Sequence, residues 1–245
     1  MVADSPFRDR DPIATPVALD VLARGEIEVV GRMPWSSNAT FLVDIDDAQF
    51  PVQAIYKPVR GERPLWDFPP NLYLREVAAC AMSEHLGWAL VPPTIERAGP
   101  AGRGSLQLCI PHNPEEHYVT LREDPTHLFA FQRLCVFDYV TNNTDRKGGH
   151  CLLGTDGHIY AIDNGLSFHD EFKLRTVLWD FSGDDVPAGI LADLERVLDA
   201  PLPADVVSAL SGDETEAVYK RTRKLVVERR FPVDPTGRRF PWPLV

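Results

Sequence analysis

The sequence predicts an α+β protein in two lobes, with a β-rich N-terminal lobe over residues 1–110 and a helical C-terminal lobe over residues 111–245. Five short runs of β-branched and aromatic residues, the composition of strands, come before residue 111. One stretch among them repeats apolar residues with the period of a helix. Beyond residue 125 the pattern is mainly helical. Strands and helices segregated along a chain favour the α+β class, and a cleft between lobes is the default place for a ligand.

The composition narrows the class of function. The chain has 245 residues, of which 44% are hydrophobic and 25% charged, as in ordinary globular proteins. Its formal net charge of -11 argues against broad binding to nucleic acid or anionic lipid, because an acidic surface repels both. No apolar run approaches the roughly 18 residues needed to span a bilayer, so we expect no stable membrane insertion.

The cysteines and the N-terminal segment predict a cytoplasmic protein. Cys80, Cys109, Cys135 and Cys151 lie far apart in apolar surroundings, without the CxxC spacing of many zinc sites. We therefore expect reduced, buried thiols and no disulfide framework. The first residues, MVADSPFRDRDP, are polar and lack the apolar segment of a signal peptide.

The N-terminal lobe is expected to begin with a loose lead-in over residues 1–20, followed by strands over 26–30, 40–45 and 52–57. A polar link, GRMPWSSNA, joins the first two strands. The loop PVRGERPLWDFPPN then precedes a helix at about 72–87. The apolar residues of that helix recur at helical spacing, at Leu74, Val77, Ala78, Ala81, Met82 and Leu86. The segments VPPTIERAG and GRGSLQLCIPHNP indicate two further strands.

Glu76 lies on the side of this helix opposite the apolar residues. Two interpretations are open: a carboxylate in solvent, or a carboxylate that faces another element and needs a cationic partner there. The neighbours of Glu76 along the helix surface are uncharged. We favour the second interpretation for that reason.

The C-terminal lobe is expected to centre on a buried helix over residues 125–140, PTHLFAFQRLCVFDYV, which are apolar almost all round. The polar stretch TNNTDRKGGH follows. The runs CLL and IYAI then flank GTDGH, whose Asp156-Gly157 pair is a strong hairpin signal. Residues 171–230 are expected to be mainly helical, and the Pro-rich tail after them irregular.

Four charged residues, in a consistent order along the chain, supply the parts that phosphoryl transfer needs. That reaction needs a lysine on the phosphates, an acid that anchors the lysine, a carboxylate on the metal and a group that orients the nucleophile. Lys57 ends the third expected strand, and Glu76 lies on the following helix. Asp145 and Asp163 bracket the expected hairpin, which brings both carboxylates to one edge. Taken singly, Asp145 could be a cap and Asp163-Asn164-Gly165 a plain turn.

These motifs resemble those of the protein-kinase-like superfamily, and more closely its phosphatidylinositol 3/4-kinase branch. The segment DYVTNNTDRKGGHCLL followed by IYAIDNGLSF is similar to the catalytic and metal-binding segment of type II phosphatidylinositol 4-kinases. AIYKP, REVAA and VPPT resemble the lysine strand and the helix that follows it. The chain also resembles a group of actinobacterial proteins of the same superfamily. The resemblance covers roughly residues 30–180 and implies a bilobal kinase fold that uses ATP with Mg²⁺ or Mn²⁺.

The resemblance assigns a role to each motif residue. Asp145 would orient or deprotonate the attacking hydroxyl, and Lys147 would neutralise the transferring phosphoryl group. Asp163 would hold the metal. Lys57 would contact the nucleotide phosphates and pair with Glu76.

The same resemblance implies the remaining nucleotide contacts. Ser36, Ser37 and Asn38 would lie in the loop over the phosphates, where protein kinases use glycines. The stretch from Gln107 to Ile110 would form the hinge beside adenine.

One position departs from the family pattern. An asparagine that binds the metal is expected five residues after the catalytic aspartate, and this chain has His150 there. If His150 faces the metal, Mn²⁺ should serve better than Mg²⁺, because imidazole suits the softer metals. The alternative is that His150 turns away and bonds a phosphate or the acceptor.

We therefore expect an ATP-dependent kinase that acts on a hydroxyl acceptor, either a protein, including the chain itself, or a small soluble polyol. The alternative is a pseudokinase, a nucleotide-binding module that regulates a partner without turnover. A phosphoinositide kinase is disfavoured, because nothing between Lys57 and Glu76 resembles the cysteine-rich membrane segment of type II enzymes. Residues 220–239 hold eight basic residues. We interpret them as a solvated helix paired with the acidic remainder; the alternative is a contact with a phosphorylated partner or a membrane edge.

Overall fold

The computed structural model describes residues 10–34 and 38–245. Five strands form an antiparallel N-terminal sheet in the order β1-β2-β3-β5-β4, and three form a second sheet in the order β6-β7-β8. The strands are β1 (Glu26–Arg32), β2 (Phe41–Asp46), β3 (Val52–Pro58), β4 (Thr94–Gly99), β5 (Gly102–Leu108), β6 (His112–His117), β7 (Cys151–Gly154) and β8 (Ile159–Ala161). The α-helices are α1 (Thr15–Arg24), α2 (Leu72–His85), α3 (Tyr118–Leu121), α4 (Leu128–Thr141), α5 (Ala188–Leu198), α6 (Ala204–Ala209) and α7 (Gly212–Glu228). The two-lobed α+β fold is confirmed, whereas the boundary at residue 110 stays a prediction.

Helix α1 corrects part of the expectation of a loose lead-in over residues 1–20, namely residues 15–20. Pro16 lies in its first turn, where the missing N–H costs no hydrogen bond. Ala18, Val21 and Leu22 are buried on one face of the helix and pack with the sheet residues Val43, Ile45, Ala54 and Leu106. These apolar residues have the spacing of an amphipathic helix, so the sequence carried the signal.

The pleat of β3 points Lys57 away from this core. Alternate residues of a strand face opposite sides of the sheet. Tyr56 is buried in the core that contains α1, so Lys57 faces the other side. Lys57 is paired with Ser105 across the ladder between β3 and β5, and helix α2 covers that face.

Helix α2 lies between the sheet and the C-terminal helices, and two of its charged residues are buried. Arg75 donates to the carboxylate of Glu214 on α7 and to the carbonyl of Ser167. Glu76 is 2% exposed and meets a lysine from another element. The interpretation of Glu76 as a carboxylate with a cationic partner is therefore confirmed.

The C-terminal lobe is built around α4, whose residues Phe131, Leu134, Val136 and Phe137 are buried. The expected hairpin is confirmed, since β7 and β8 pair antiparallel around Asp156 and Gly157. Strand β6, which pairs with β7, was not anticipated, because HNPEEH lacks the apolar alternation of a strand.

Residues 171–187 are not helical, which corrects part of the expectation for 171–230. The backbone N–H of Arg175 donates to the carbonyl of Asn143, and that of Val177 donates to the carbonyl of Arg146. These bonds tie the segment to the loop after α4 in place of bonds within a helix. Helices resume at Ala188, directly after Pro187.

The Pro-rich tail is irregular, as expected, and returns to the loop after α4. The N–H of Gly148 donates to the carbonyl of Leu244 at 2.7 Å. A Cβ placed on Gly148 would lie 3.0 Å from a methyl group of Val119, which suits a glycine at this close approach. Within the described ranges, no helix is long and apolar enough to cross a bilayer.

Candidate active site

Three elements converge on one charged cluster. Lys57 comes from β3 and Glu76 from α2, while Asp163 follows the hairpin strand β8. The Lys57 ammonium donates to Glu76 Oε1 and, at 2.9 Å, to Asp163 Oδ1. The structure therefore brings together three of the residues that the motifs single out.

Glu76 is held on both carboxylate oxygens. Its Oε1 accepts from Lys57, and its Oε2 accepts from the backbone N–H of Asn164 at 2.9 Å. A Cβ on Gly165 would lie 3.3 Å from Glu76 Oε1. The chain just after Asp163 is thus fastened to α2, which fixes the distance between the lysine strand and Asp163.

Asp163 can still accept hydrogen bonds or bind a metal in this arrangement. Its side chain is 53% exposed, although Lys57 occupies one of its oxygens. Its φ of 57° is in the left-handed region, which an aspartate tolerates better than most residues. The charge of Lys57 holds the pKa of Asp163 well below its usual range. Burial lowers the pKa of Lys57, but the carboxylates of Asp163 and Glu76 outweigh it and raise that pKa. Both groups therefore stay charged at neutral pH.

A second charged pair lies behind the loop that carries Asp145. The Nε of Arg146 donates to both oxygens of Asp138, at 3.0 and 3.2 Å, and neither side chain is exposed. Arg146 also donates to the carbonyl of Ile162 at 2.6 Å and to the side-chain oxygen of Asn164. The pair thus joins α4, the loop and the residues on either side of Asp163.

Sequence reasoning missed this pair. Its signal was a charged residue, Asp138, inside a helix that is otherwise apolar almost all round. A carboxylate at such a position needs a buried cation. Arg146, next to Asp145, supplies it.

Asp145 and Lys147 lie side by side on the loop after α4. The Lys147 ammonium is 3.1 Å from Asp145 Oδ2. The N–H of Asp145 donates to the side-chain oxygen of Asn143 at 2.9 Å. Burial raises the pKa of Asp145, and the hydrogen bond from Lys147 partly offsets the rise. Asp145 is therefore a stronger base than an aspartate in solvent.

His150 faces Asp163, with its Nε2 at 3.6 Å from Asp163 Oδ2. Its Nδ1 accepts a long hydrogen bond, 3.4 Å, from the N–H of Lys147. Burial lowers the pKa of His150 to about 4, against the attraction of the Asp163 carboxylate. The imidazole is consequently neutral, the form that can ligate a metal. Across the described parts of the chain, no group of three or more His, Cys, Asp or Glu side chains is placed to hold a metal.

The other predicted nucleotide contacts lie apart from this cluster or outside the described residues. Ser36 and Ser37 lie outside the residues that the structure describes. The side-chain oxygen of Asn38 accepts from the N–H of Arg63 at 3.0 Å. Gln107 shares the sheet face of Lys57 and donates to the hydroxyl of Thr94.

Ile110 is partly buried against the N-terminal core, and its carbonyl lies 2.7 Å from Nδ1 of His112. The backbone of the neighbouring Cys109 is also engaged, with its N–H on the carbonyl of Gln53 and its carbonyl on Arg10. The hinge assignment of Gln107 to Ile110 stays a prediction.

Comparison with known sequences gives two matches. The family profile for phosphatidylinositol 3- and 4-kinase matches residues 56–213. Protein Rv2133c of Mycobacterium tuberculosis (strain ATCC 25618 / H37Rv) is 39% identical over 264 aligned residues, which cover 91% of this chain and 94% of that protein.

Three solved structures share the fold. The Golgi casein kinase with Mn/ADP bound has a TM-score of 0.58 at 15% identity and covers 94% of this chain and 80% of its own. Hydra Fam20 with sugar has a TM-score of 0.54 at 14% identity, with 86% of each chain covered. The Helicobacter pylori proinflammatory kinase CtkA has a TM-score of 0.53 at 12% identity, with 86% and 94% covered. At these identities the likeness concerns the fold, and it confirms the bilobal protein-kinase-like architecture.

Proposed function

The chain belongs to the phosphatidylinositol 3- and 4-kinase family, and we propose that it transfers the γ-phosphoryl group of ATP to a hydroxyl acceptor. The observation that carries the proposal is the contact of Lys57 with both Glu76 and Asp163. A lysine fixed by a helix carboxylate beside a metal-binding aspartate is the arrangement in which protein kinases hold ATP.

In this proposal Lys57 binds a nucleotide phosphate, and Glu76 keeps the ammonium in place. Asp163 holds the metal, since its side chain is half exposed and a carboxylate suits Mg²⁺ or Mn²⁺. His150 Nε2 lies beside Asp163 and serves as a second ligand when the imidazole proton is on Nδ1. That tautomer gives up only the hydrogen bond that Nδ1 accepts from Lys147, which is long at 3.4 Å and therefore weak. Magnesium sites commonly take one or two carboxylates plus substrate phosphates and water, which fits Asp163, whereas the imidazole of His150 suits Mn²⁺ better. A metal held by Asp163 would supply positive charge beside the phosphates.

Asp145 accepts the proton of the acceptor hydroxyl. The hydroxyl oxygen attacks the γ-phosphorus, the bond from that phosphorus to the bridging oxygen breaks, and ADP leaves with the electron pair. Lys147, whose ammonium lies beside Asp145, offsets negative charge on the transferring group. The proposal also includes the loop over the phosphates, to which the family resemblance assigns Ser36, Ser37 and Asn38. The Golgi casein kinase, which has a similar fold, was solved with Mn/ADP bound, and this supports a nucleotide and a divalent metal as ligands of this chain.

One observation favours a second candidate, a nucleotide-binding pseudokinase. His150 stands where the family pattern has an asparagine ligand, and its Nδ1 already accepts from Lys147. In this state the proton lies on Nε2, which faces Asp163 Oδ2 at 3.6 Å and does not bind a metal. Such a protein would bind ATP and regulate a partner without turnover.

Incubation with γ-labelled ATP tests these alternatives. The purified protein is incubated with ATP and Mg²⁺ or Mn²⁺ alone, with cell lysate, and with liposomes that contain phosphatidylinositol. We expect label on a protein or on a soluble small molecule, and its loss in Asp145→Asn. Binding of ATP without any labelled product would favour the pseudokinase. Label in the lipid alone would make the acceptor a phosphoinositide.

A further inference from the structure

A groove of about 670 Å³ opens beside Asp145. Asp145 is part of its lining, together with side chains from the loop before α2, the segment after Asp163 and the C-terminal tail. Lys57 and Asp163 are outside this lining. The two aspartates are nevertheless joined through the backbone, since the N–H of Thr144 donates to the carbonyl of Leu166, three residues after Asp163, at 2.9 Å. Asp145 therefore stands between the proposed nucleotide site and the groove, where an acceptor hydroxyl must approach.

The groove is basic in a protein that is acidic as a whole. Four cations line it, namely Lys173, Arg175, Arg238 and Arg239, against the carboxylates of Asp67 and Asp145. The formal net charge of the chain is -11, so a concentration of four cations in one groove is unlike its average surface. Arg238 and Arg239 end the basic stretch 220–239.

Two of the four cations are already neutralised. Lys173 lies 3.4 Å from Asp67. Arg239 lies 3.6 Å from Asp234 and stacks over the ring of Phe172, with 4.6 Å between its guanidinium carbon and the ring centroid. These pairs stiffen the walls of the groove and leave the other two cations to a ligand.

Arg175 and Arg238 are exposed and, among the residues that the structure describes, have no acidic partner. The backbone of Arg175 is nonetheless fixed beside Asp145. Its N–H donates to the carbonyl of Asn143 at 2.9 Å, and its carbonyl accepts from the N–H of Arg146 at 3.0 Å. The backbone of Arg238 donates to the hydroxyl of Thr236 at 3.2 Å. Both guanidinium groups are thus attached to ordered backbone and free to bind an anion.

We propose that the groove binds an acidic peptide segment of a protein acceptor and presents its hydroxyl to Asp145, an inference that rests on the proposed function. Arg175 and Arg238 bond aspartate or glutamate carboxylates that flank the acceptor residue, since an arginine fork matches a carboxylate. The rim carries exposed apolar side chains, Leu65 and Trp66, the latter 95% exposed, which suit the apolar parts of a peptide.

The experiment measures binding and needs no turnover. A fluorescein-labelled peptide with one serine between glutamates is titrated in the presence of Mg²⁺ and a non-hydrolysable ATP analogue, and anisotropy is recorded. Its partner has glutamine at every glutamate position. We expect the acidic peptide to bind at least about tenfold more tightly, the effect of one good charge-assisted contact. Arg175→Ala/Arg238→Ala should abolish this difference. Arg175→Lys/Arg238→Lys, which keeps both charges, should retain part of it.

Arg103→Ala is the matched control, because Arg103 lies on β5 with 74% of its side chain exposed, outside the groove lining. We expect wild-type peptide affinity from it. Equal affinity of the wild type for the two peptides would overturn the proposal without reference to any variant. Binding of phosphatidylinositol vesicles that depends on Arg175 and Arg238, with no binding of the acidic peptide, would overturn it in favour of a lipid headgroup. Failure of the ATP-labelling experiment together with selective binding of the acidic peptide would reject the proposed catalysis and retain the docking groove.

Discussion

Two clusters of charge, both inside the fold, differ in how completely their hydrogen-bonding capacity is used. In the pair of Asp138 and Arg146 neither side chain is exposed, and each also bonds a further partner: Thr176 for Asp138, Ile162 and Asn164 for Arg146. In the cluster of Lys57, Glu76 and Asp163, the side chain of Asp163 is 53% exposed and keeps an oxygen free of Lys57. The first cluster is closed to any ligand, whereas the second can accept one.

The difference separates a structural charge from a functional one. Burial of charge is expensive, so a saturated buried pair holds backbone segments in place but gives nothing to a ligand. A half-exposed carboxylate held beside a lysine can exchange part of its contacts for a phosphate and a metal. On this basis Asp138 and Arg146 position the loop that carries Asp145, and Lys57 and Asp163 act on the nucleotide.

Arg146→Met should produce the largest effect on stability. The substitution leaves the Asp138 carboxylate buried without its cation, which costs about 3–5 kcal/mol of the free energy of unfolding. Lys57→Met should cost less, because Asp163 can turn its carboxylate to solvent and the buried Glu76 keeps the hydrogen bond from the N–H of Asn164. Urea denaturation of both variants measures the difference. Equal losses for the two would remove the distinction between the clusters.

Asp145→Asn should produce the largest effect on turnover at little cost in stability. A positioned base typically contributes about 10²–10⁴-fold, so the rate of phosphoryl transfer should fall by that factor while ATP affinity is maintained. Single-turnover kinetics and calorimetric titration with ATP measure the two quantities. Asp156→Asn, on the hairpin tip, is the control and should keep the rate. A fall in ATP affinity as large as that for Asp163→Ala would refute the separate roles of the two aspartates.

Lys147→Met should shift the acid limb of the profile of kcat/KM against pH to higher pH. Lys147 lowers the pKa of Asp145, so its loss raises that pKa further above the usual aspartate value. The base must be deprotonated, so kcat/KM falls as pH decreases through this pKa, and in the variant the fall begins at higher pH. We expect the acid limb of the variant at higher pH than that of the wild type. Lys147→Arg keeps the charge and should keep the limb in place. An unmoved limb in Lys147→Met would show that Asp145 is not the titrating base.

His150→Asn should produce the smallest effect, a few-fold change in metal preference. If His150 binds the metal, the wild type works better with Mn²⁺ than with Mg²⁺, and an amide oxygen narrows that preference. Initial rates in each metal at pH 6 and pH 8 are compared for the two proteins. Burial keeps the imidazole neutral at both values, since its pKa lies at about 4. Equal rates in the two metals, unchanged by the substitution, would show that His150 is not a metal ligand.

The sequence could predict the features of the fold and the site that rest on local patterns. Lys57, Asp145 and Asp163 stand in local motifs, and the hairpin signal at Asp156 and Gly157 is local as well. Glu76 was recognisable because its neighbours on the helix are uncharged. Each of these features is a pattern of residues that are neighbours in the chain, so the sequence alone is enough to predict it.

The features that escaped prediction depend on distant partners. The contact of Arg75 with Glu214 spans 139 residues, and Glu214 lies outside the kinase-like motifs. The basic groove combines Arg175 with Arg238 and Arg239, which approach only when the tail folds back. Strand β6 forms because β7 supplies hydrogen bonds to a polar segment. Long-range pairing of this kind leaves no periodic trace in the sequence.

Metal-dependent binding of ATP, measured by calorimetry, tests the central claim most directly. The wild type should bind ATP more tightly when Mg²⁺ or Mn²⁺ is present. Lys57→Met should weaken that binding at least about tenfold, since a charge-assisted contact to phosphate is lost. Asp163→Asn should abolish its dependence on metal. Lys220→Met, an exposed lysine on α7, serves as the matched control and should behave as the wild type. Wild-type ATP affinity and metal dependence in folded Lys57→Met and Asp163→Asn proteins would contradict the account.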